Sequence, residues 1–232
     1  MNKPAPAATF SQFGEDVLIM KFFGGRVGFF VDVGANEPEN LSQSFLLEQH
    51  GWTGILVEPQ SSCCEKLRQV RKARVFQVAC GSPEQRGKCL LNLNETGSSL
   101  IIGEQTPGRP CEEVQVMTLD DILEQSGNPA IDYLSIDVEG FELDVLRGFD
   151  LARHRPKLML IEDNFPNRLQ VHRHMKQRGY RLVKRTGCNN WYIPKDQPFT
   201  LATPWEKVKL FRKMYLGTAF RNLRNTVVGN GK

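Results

Sequence analysis

From about residue 28 onward, short apolar runs alternate along this chain with segments of helical periodicity, and that rhythm narrows the fold more than any other feature. The runs at 27–33 (VGFFVDV), 54–57 (GILV), 75–80 (VFQVAC), 131–137 (IDYLSID) and 158–161 (LMLI) are too short for buried helices. Being apolar on both faces, they suit strands of a parallel sheet covered by helices on either side. Between them, 40–50 carries Leu41, Phe45 and Leu46 at helical spacing, and Ser61 is placed to cap a basic helix reaching Lys72. Thr118 is placed to cap another helix reaching Gln125, Phe141, Val145 and Phe149 share one face of 140–149, and 167–178 repeats the pattern. The rhythm breaks once, where 88–93 and 113–117 alternate polar and apolar residues around a Gly- and Ser-rich loop, the pattern of a β-excursion. A closing pair, 180–185 and 191–193, reads as a hairpin. The expectation is an α/β fold with a doubly wound, mostly parallel sheet of about seven strands.

At 232 residues, 40% of them hydrophobic and 24% charged, the chain has enough apolar material for one packed domain with an appendage. Residues 1–27 read as an N-terminal helical segment, 28–202 as the main domain and 203–232 as a basic tail. The tail holds Lys207, Lys209, Arg212, Lys213, Arg221, Arg224 and Lys232 against Glu206 alone, whereas the whole chain is formally only +4, so the body is slightly acidic. That argues against nucleic acid as a partner and for a localised contact made by the tail. Trp205, Val208, Phe211, Tyr215, Phe220 and Leu223 recur there at near-helical spacing. Such a stripe flanked by cations suits peripheral contact with a membrane, or packing on the domain or on a second copy of the chain, so homo-oligomerisation stays open. No apolar run nears the roughly 18 residues of a spanning helix, and the start lacks an apolar leader. The chain therefore reads as cytoplasmic, peripheral at the inner face of a membrane where the tail engages it. Its six cysteines show neither a CxxC pair nor zinc spacing, as that reducing compartment leads one to expect.

In a doubly wound sheet, ligands bind beyond the carboxyl ends of the strands, and the acids and glycines of this chain gather at those ends. Asp32-Val33-Gly34-Ala35-Asn36 closes the first strand. A carboxylate inside an apolar run is costly unless it finds donors, so Asp32 either ties down the Gly34 turn or serves a ligand. The glycine turn itself lets backbone approach a nucleotide-like molecule. Glu58, 24 residues after Gly34 and at the end of the next strand, has the spacing of an acid that grips ribose hydroxyls. A dinucleotide fits poorly, because GxGxxG is absent and Glu37 and Glu39 stand where a pyrophosphate would be repelled. A cationic sulfonium nucleoside, S-adenosylmethionine, meets no such objection. Asp137 and Glu139 follow the fourth run, and Glu162 and Asp163 the fifth. Acids at neighbouring strand ends can act as general bases, bind a divalent metal or contact substrate hydroxyls, although Glu139 can equally satisfy a helix N-terminus.

The segments SQFGED (11–16), FFVDVGAN (29–36), GILVEP (54–59), TLDDIL (118–123), YLSIDVEGFELDVLRG (133–148) and LMLIEDN (158–164), in that order, resemble the FkbM family of S-adenosylmethionine-dependent methyltransferases. The resemblance runs from about Ser11 to Pro194. The IDVEG element with its following helix is its most specific part, since DVGAN is shared with many methyltransferases. It implies the class I methyltransferase sheet, Rossmann-like with an antiparallel last strand, and methyl transfer to an oxygen of a sugar or similar polyol. It also implies that Asp32, Gly34, Ala35 and Asn36 lie along the methionine moiety, Glu58 at the ribose, Ala79 and Cys80 at the adenine edge, and Asp137 nearest the transferred methyl. Gln12 and Asp16 would close the cofactor site or else cap the first helix, and Gly97-Ser98-Ser99 would face the acceptor. Pro38, where many members have glycine, implies a stiffer loop after Asn36.

Methylating an unactivated hydroxyl takes in-line positioning together with a base, or with a metal that acidifies the hydroxyl. The sequence leaves both routes open. Asp137, Glu162 and Asp163 would make an oxygen-rich magnesium site. The metal-free alternative uses Glu162, or a histidine of 171–174, as base, although those histidines read as solvent-facing on a basic helix. The catalytic set is Asp137, Glu162 and Glu139. The leading expectation is an O-methyltransferase whose acceptor is a carbohydrate or glycolipid, a glycan or its precursor. A polyketide or other small-molecule hydroxyl is the alternative acceptor. A non-enzymatic cofactor-binding module in a glycan assembly complex is the third reading, and it would not require the acids at the fourth and fifth strand ends.

Overall fold

The computed structural model describes residues 9–92, 99–101, 110–163 and 168–212. In chain order the elements are α1 (Glu15–Phe22), β1 (Phe29–Val33), α2 (Phe45–Gln49), β2 (Thr53–Val57), α3 (Ser61–Val70), β3 (Arg74–Phe76), β4 (Ala79–Cys80), a 3-10 turn (Pro83–Gln85), β5 (Gly87–Asn92), β6 (Ser99–Ile101) and β7 (Cys111–Met117). There follow α4 (Leu119–Gln125), β8 (Tyr133–Ile136), α5 (Glu142–Arg147), α6 (Leu151–His154), β9 (Leu158–Glu162), α7 (Arg168–Gln177), β10 (Tyr180–Thr186), β11 (Asn189–Pro194) and α8 (Pro204–Phe211).

The principal sheet has seven strands in the order β3-β2-β1-β8-β9-β11-β10. Six run in the same direction, and β11 is antiparallel to both of its neighbours. This is the mostly parallel sheet with an antiparallel last strand that the family resemblance leads one to expect. The chain builds outward from β1 to β3, then returns to lay β8 on the other side of β1, so the strand order switches between β1 and β8. Strand alternation explains why the central runs are apolar on both faces apart from Asp32 and Ser135. Val31, Val33, Ile55, Val57, Leu134, Ile136, Met159 and Ile161 face the layer of α4, α5 and α7. Phe30, Leu56, Tyr133, Leu158 and Leu160 face α1, α2 and α3, meeting Ile19, Phe23, Leu47 and Leu67. Each such buried side chain contributes roughly 1.5–3 kcal/mol, which holds the strand ends in fixed register.

Three sequence expectations need correction. The run 75–80 does not form one strand: β3 ends at Phe76, and Ala79–Cys80 leaves the main sheet to pair in parallel with β7. With β5 and β6 it forms a second, four-stranded sheet, the expected β-excursion. The pairing partner lies more than thirty residues away, so an apolar run cannot reveal the change of sheet. The helix expected over 40–50 is only Phe45–Gln49, because Leu41 takes a left-handed backbone (φ +61°) and bridges to Ser11. Ser61 is the first residue of α3 rather than its cap; Gln60 holds the cap position without a side-chain bond, and the Ser61 hydroxyl donates to Glu112 (3.1 Å). Thr118 does cap α4, accepting the Asp121 N–H at 3.2 Å while its own N–H donates to the Asp121 carboxylate at 3.1 Å.

At the N-terminal end, α1 is part of the core, with Phe23 edge-on to Trp52 (centroids 4.9 Å apart). At the other end, Thr203 and Glu206 form a capping box for α8, and Glu206 pairs with the buried Lys184 of β10. Trp205 and Val208 are exposed, and the tail beyond Arg212 lies outside the described residues, as do Gly97 and Ser98. Among the described residues, no helix is long and apolar enough to cross a membrane. All six cysteines are free thiols.

Candidate active site

At the β1/β8 switch point the carboxyl ends of the strands open into a cavity of about 660 Å³, within the roughly 300–1,000 Å³ usual for ligand sites. Its floor depends on Gly34. The backbone there is left-handed (φ +87°), and a Cβ would stand 1.8 Å from the Asp137 carbonyl oxygen, so only glycine lets the ends of β1 and β8 meet. The Gly34 N–H donates to the Val57 carbonyl (2.9 Å) and the Asp137 N–H to that of Val33 (2.9 Å), which locks three strand ends together.

Along one wall, Asn36, also left-handed (φ +49°), donates its N–H to Glu58 Oε2 at 3.0 Å, and Gln60 donates to Oε1 at 2.9 Å. Burial raises the Glu58 pKa, and these two N–H bonds oppose the rise. Beside it, Pro59, Val78, Ala79, Cys80 and Leu91 make an apolar surface. Cys63 donates to Asn36 Oδ1 (3.5 Å) and Cys64 to the Glu58 carbonyl (3.0 Å). Burial pushes the Cys64 thiol up to about 12, so this adjacent pair stays protonated. Lys66 and Glu37 pair at 2.6 Å on the rim.

The opposite wall carries Asp137, Glu139 and Glu162, with carboxylate oxygens that all lie within 4.8 Å of one another. Asp137 is held well above the usual carboxylate range, first by burial, then by the charge and hydrogen bond of Glu162, and further by Glu139 and Glu142. Glu139 is raised by burial and by Glu162. Its backbone is left-handed (φ +52°), a conformation that non-glycine residues hold at a cost and that concentrates at functional sites. The turn before α5 is served by Glu142, which accepts the Gly140 N–H at 2.9 Å, and Glu139 is left facing the cavity. Cys188, in the β10–β11 turn, adds a thiol raised to about 11 by burial and by Glu162 and Asp137.

Of the residues singled out in the sequence, Gln12, Gly34, Ala35, Asn36, Glu58, Cys80, Asp137, Glu139 and Glu162 line this one cavity. Asp32 does not. It faces the α1–α3 layer, where it accepts the Ser44 hydroxyl at 2.5 Å, and Arg71 reaches both Ser44 (3.0 Å) and Glu48 (2.9 Å). Asp163 is also displaced: neighbouring residues of a strand point to opposite faces, and Asp163 is buried against Arg185. Glu139 takes its place in the acid group. Asp16 accepts from Thr9, Phe10 and Ser11 (2.6, 2.7 and 2.8 Å), tying the N-terminal loop instead of lining the cavity. His172 and His174 are half-buried rather than solvent-facing, burial lowers both pKa values, and neither lines the cavity.

Gln43 and Asn189 are among the lining residues that escaped sequence reasoning. Gln43 lines the cavity and accepts the Tyr133 and Ser135 hydroxyls (2.8 and 2.9 Å) on its Oε1, which leaves its amide nitrogen as the donor end. Asn189 donates to Glu15 at 3.1 Å. Only the SQS and NN runs around them, polar residues inside or beside apolar segments, hint at a role.

Among the described residues, five carboxylates, those of Glu37, Glu58, Asp137, Glu139 and Glu162, line the cavity against Lys66, which Glu37 already engages. The site therefore attracts cations and repels phosphates. An acid beside an apolar slot, amide donors and an acidic far wall together suit the ribose, adenine and sulfonium of S-adenosylmethionine. The acid group offers the hard oxygen ligands a divalent cation takes; protonating Asp137 relieves the same repulsion without a metal.

Residues 32–182 match the family model described as the methyltransferase FkbM domain. Among solved structures, the chain is similar to methyltransferase FkbM from Methylobacillus flagellatus, at 17% identity and a TM-score of 0.49, over 72% of this chain and 44% of that one. It is also similar to a precorrin-6y methyltransferase from Geobacter metallireducens, at 12% identity and a TM-score of 0.45, over 82% of this chain and 91% of that one. The chain thus spans less than half the length of the first of these. No curated protein matches it by sequence.

Proposed function

The chain belongs to the FkbM methyltransferase family, and on that premise we propose that it is an S-adenosylmethionine-dependent O-methyltransferase acting on a sugar hydroxyl of a glycan or glycan precursor. The observation that carries the reading is the joining, in one cavity, of a backbone-held acid at the second strand end with a cation-seeking acid group at the fourth and fifth. When bound, the cofactor supplies an electrophilic methyl group. Glu58 keeps its free lone pairs for the ribose hydroxyls, the wall from Pro59 to Leu91 shields the base from water, and Gln43 offers its amide nitrogen to a carboxylate. On the acidic wall, the hydrogen-bonded Asp137 and Glu162 act as one unit. With the cofactor bound, this pair would take the hydroxyl proton as the acceptor oxygen takes up the methyl group, giving a methyl ether and leaving S-adenosylhomocysteine. A divalent cation on Asp137, Glu139 and Glu162 would acidify the hydroxyl instead, and only that route is abolished by chelation.

Incubation with radiolabelled cofactor and candidate saccharides, followed by mass spectrometry of the labelled product, tests the proposal. Label in a sugar methyl ether supports it. Label on a polyketide or other non-sugar hydroxyl replaces the acceptor, and failure to bind S-adenosylhomocysteine overturns the reading altogether.

A further inference from the structure

We propose that Phe13, together with Leu41 on the loop bridged to its own, is the acceptor platform of the cavity mouth, on which the C–H face of a pyranose ring stacks while the ring's hydroxyls reach the acid group. The inference rests on the sugar-acceptor reading and adds a specificity residue to it.

Phe13 is fixed in place more firmly than a surface side chain needs to be. Its N–H donates to Glu15 Oε2 at 2.9 Å. Glu15 is fully buried and also accepts from Thr186 (2.8 Å) and Asn189 (3.1 Å), so the loop before α1 is strapped to the β10–β11 hairpin. The Phe13 ring lies flush on Gly187, where a Cβ would meet ring carbon Cε2 at 2.0 Å. Despite this anchoring, Phe13 is 44% exposed.

The position of the ring gives the exposure a meaning. Gln12, its neighbour in the chain, lines the cavity, as does Cys188, the neighbour of Gly187, and Cys188 is hydrogen-bonded to Glu162. Phe13 does not itself line the cavity; its ring, packed on Gly187 next to Cys188, stands at the rim on the side of the acidic wall. Leu41 lines the same cavity, is 57% exposed, and is held with a left-handed backbone by its bridge to Ser11. For a leucine that backbone is strained, and such strain persists where surrounding structure enforces it. Two loops joined by the Ser11–Leu41 bridge, one before α1 and one after β1, thus each present an exposed apolar side chain at the rim of a cavity whose nearby groups are carboxylates and amides. A sugar offers the complementary surface, apolar C–H patches on one face and hydroxyls at its edge.

The test uses the full-length protein saturated with S-adenosylhomocysteine and saturation-transfer NMR with a panel of methyl hexopyranosides, together with phenol as a planar non-sugar ring. The wild type should transfer saturation to sugar C–H protons. Phe13→Ala should lose at least fivefold in sugar affinity, Phe13→Trp should keep it, and Leu41→Ser should weaken it less. All three should bind S-adenosylhomocysteine within twofold of wild type and keep its melting temperature. Sugar binding that survives Phe13→Ala unchanged overturns the platform and leaves the sugar reading standing. A holoprotein that contacts phenol but none of the glycosides overturns both.

Discussion

Replacing Glu58 by alanine separates ligand recognition from folding, because its carboxylate serves both the backbone and the cavity. On the ligand side, the change removes charge-assisted hydrogen bonds worth about 1.5–3 kcal/mol, which corresponds to a loss of roughly 10- to 150-fold in affinity for the nucleoside. On the folding side, the N–H groups of Asn36 and Gln60 lose an acceptor at 3.0 and 2.9 Å. Both border the cavity, so water can take the carboxylate's place, and the cost of burying that charge disappears with it. The two folding terms oppose each other, so the apo melting temperature should move by no more than about 4 °C, equivalent to about 1 kcal/mol in a chain of this size. Titration calorimetry with S-adenosylhomocysteine, which lacks the sulfonium charge, reads the ribose contact without interference from the acidic wall, and a thermal melt reads the fold. Affinity within twofold of wild type and an unchanged melt would refute the assignment of Glu58 to the ribose, as would tighter binding of NAD than of S-adenosylhomocysteine.

Asp137→Asn and Glu162→Gln should lower turnover by roughly 10²–10⁴ while leaving S-adenosylhomocysteine affinity within a few-fold; wild-type turnover in both returns these acids to a structural role. Since burial and Glu162 raise Asp137, the folded state holds that proton to higher pH than the unfolded chain does. Wild-type stability should therefore fall as pH rises past the ordinary carboxylate range, and apo Asp137→Asn should melt above wild type at pH 8 and converge with it near pH 4. An Asp137→Asn melt below wild type at pH 8 contradicts this. In turnover, the pair must ionise to accept a proton, so the rate should decline as pH drops through the raised pKa. Gly34→Ala combines a left-handed backbone with a 1.8 Å clash, and urea unfolding should show a cost of roughly 2–6 kcal/mol; a cost below about 1 kcal/mol would mean the strand ends can part. Arg71→Met leaves Glu48 buried without its cation and takes the guanidinium away from Ser44 and Asp32, which should cost about 3–5 kcal/mol in the same assay, and neutrality would show that the network is dispensable.

The sequence by itself determined the sheet and the rim where chemistry gathers. Strands β1, β2, β8 and β9 are buried on both faces, so their residues are apolar apart from Asp32, Ser135 and the terminal Thr53 and Glu162, and the polar residue or glycine that ends or follows each run marks a strand terminus. Gly34, Glu58, Asp137 and Glu162 were legible for that reason. Tertiary structure decided which neighbour at a strand end turns toward the ligand. Strand alternation says that Glu162 and Asp163, or Asp32 and Val33, face opposite sides, and it does not say which side holds the cavity. The answer came from distant partners: Arg185, 22 residues beyond Asp163, claims that carboxylate, and Ser44, 12 residues beyond Asp32, claims the other. The departure of Ala79–Cys80 to the second sheet, the unwinding at Leu41 and the aim of the Gln43 amide likewise depend on Val116, Ser11 and Tyr133. A local pattern encodes how much of a segment is buried, because solvent transfer acts residue by residue; it leaves open which remote group meets each polar side chain, since that follows only from closing the chain.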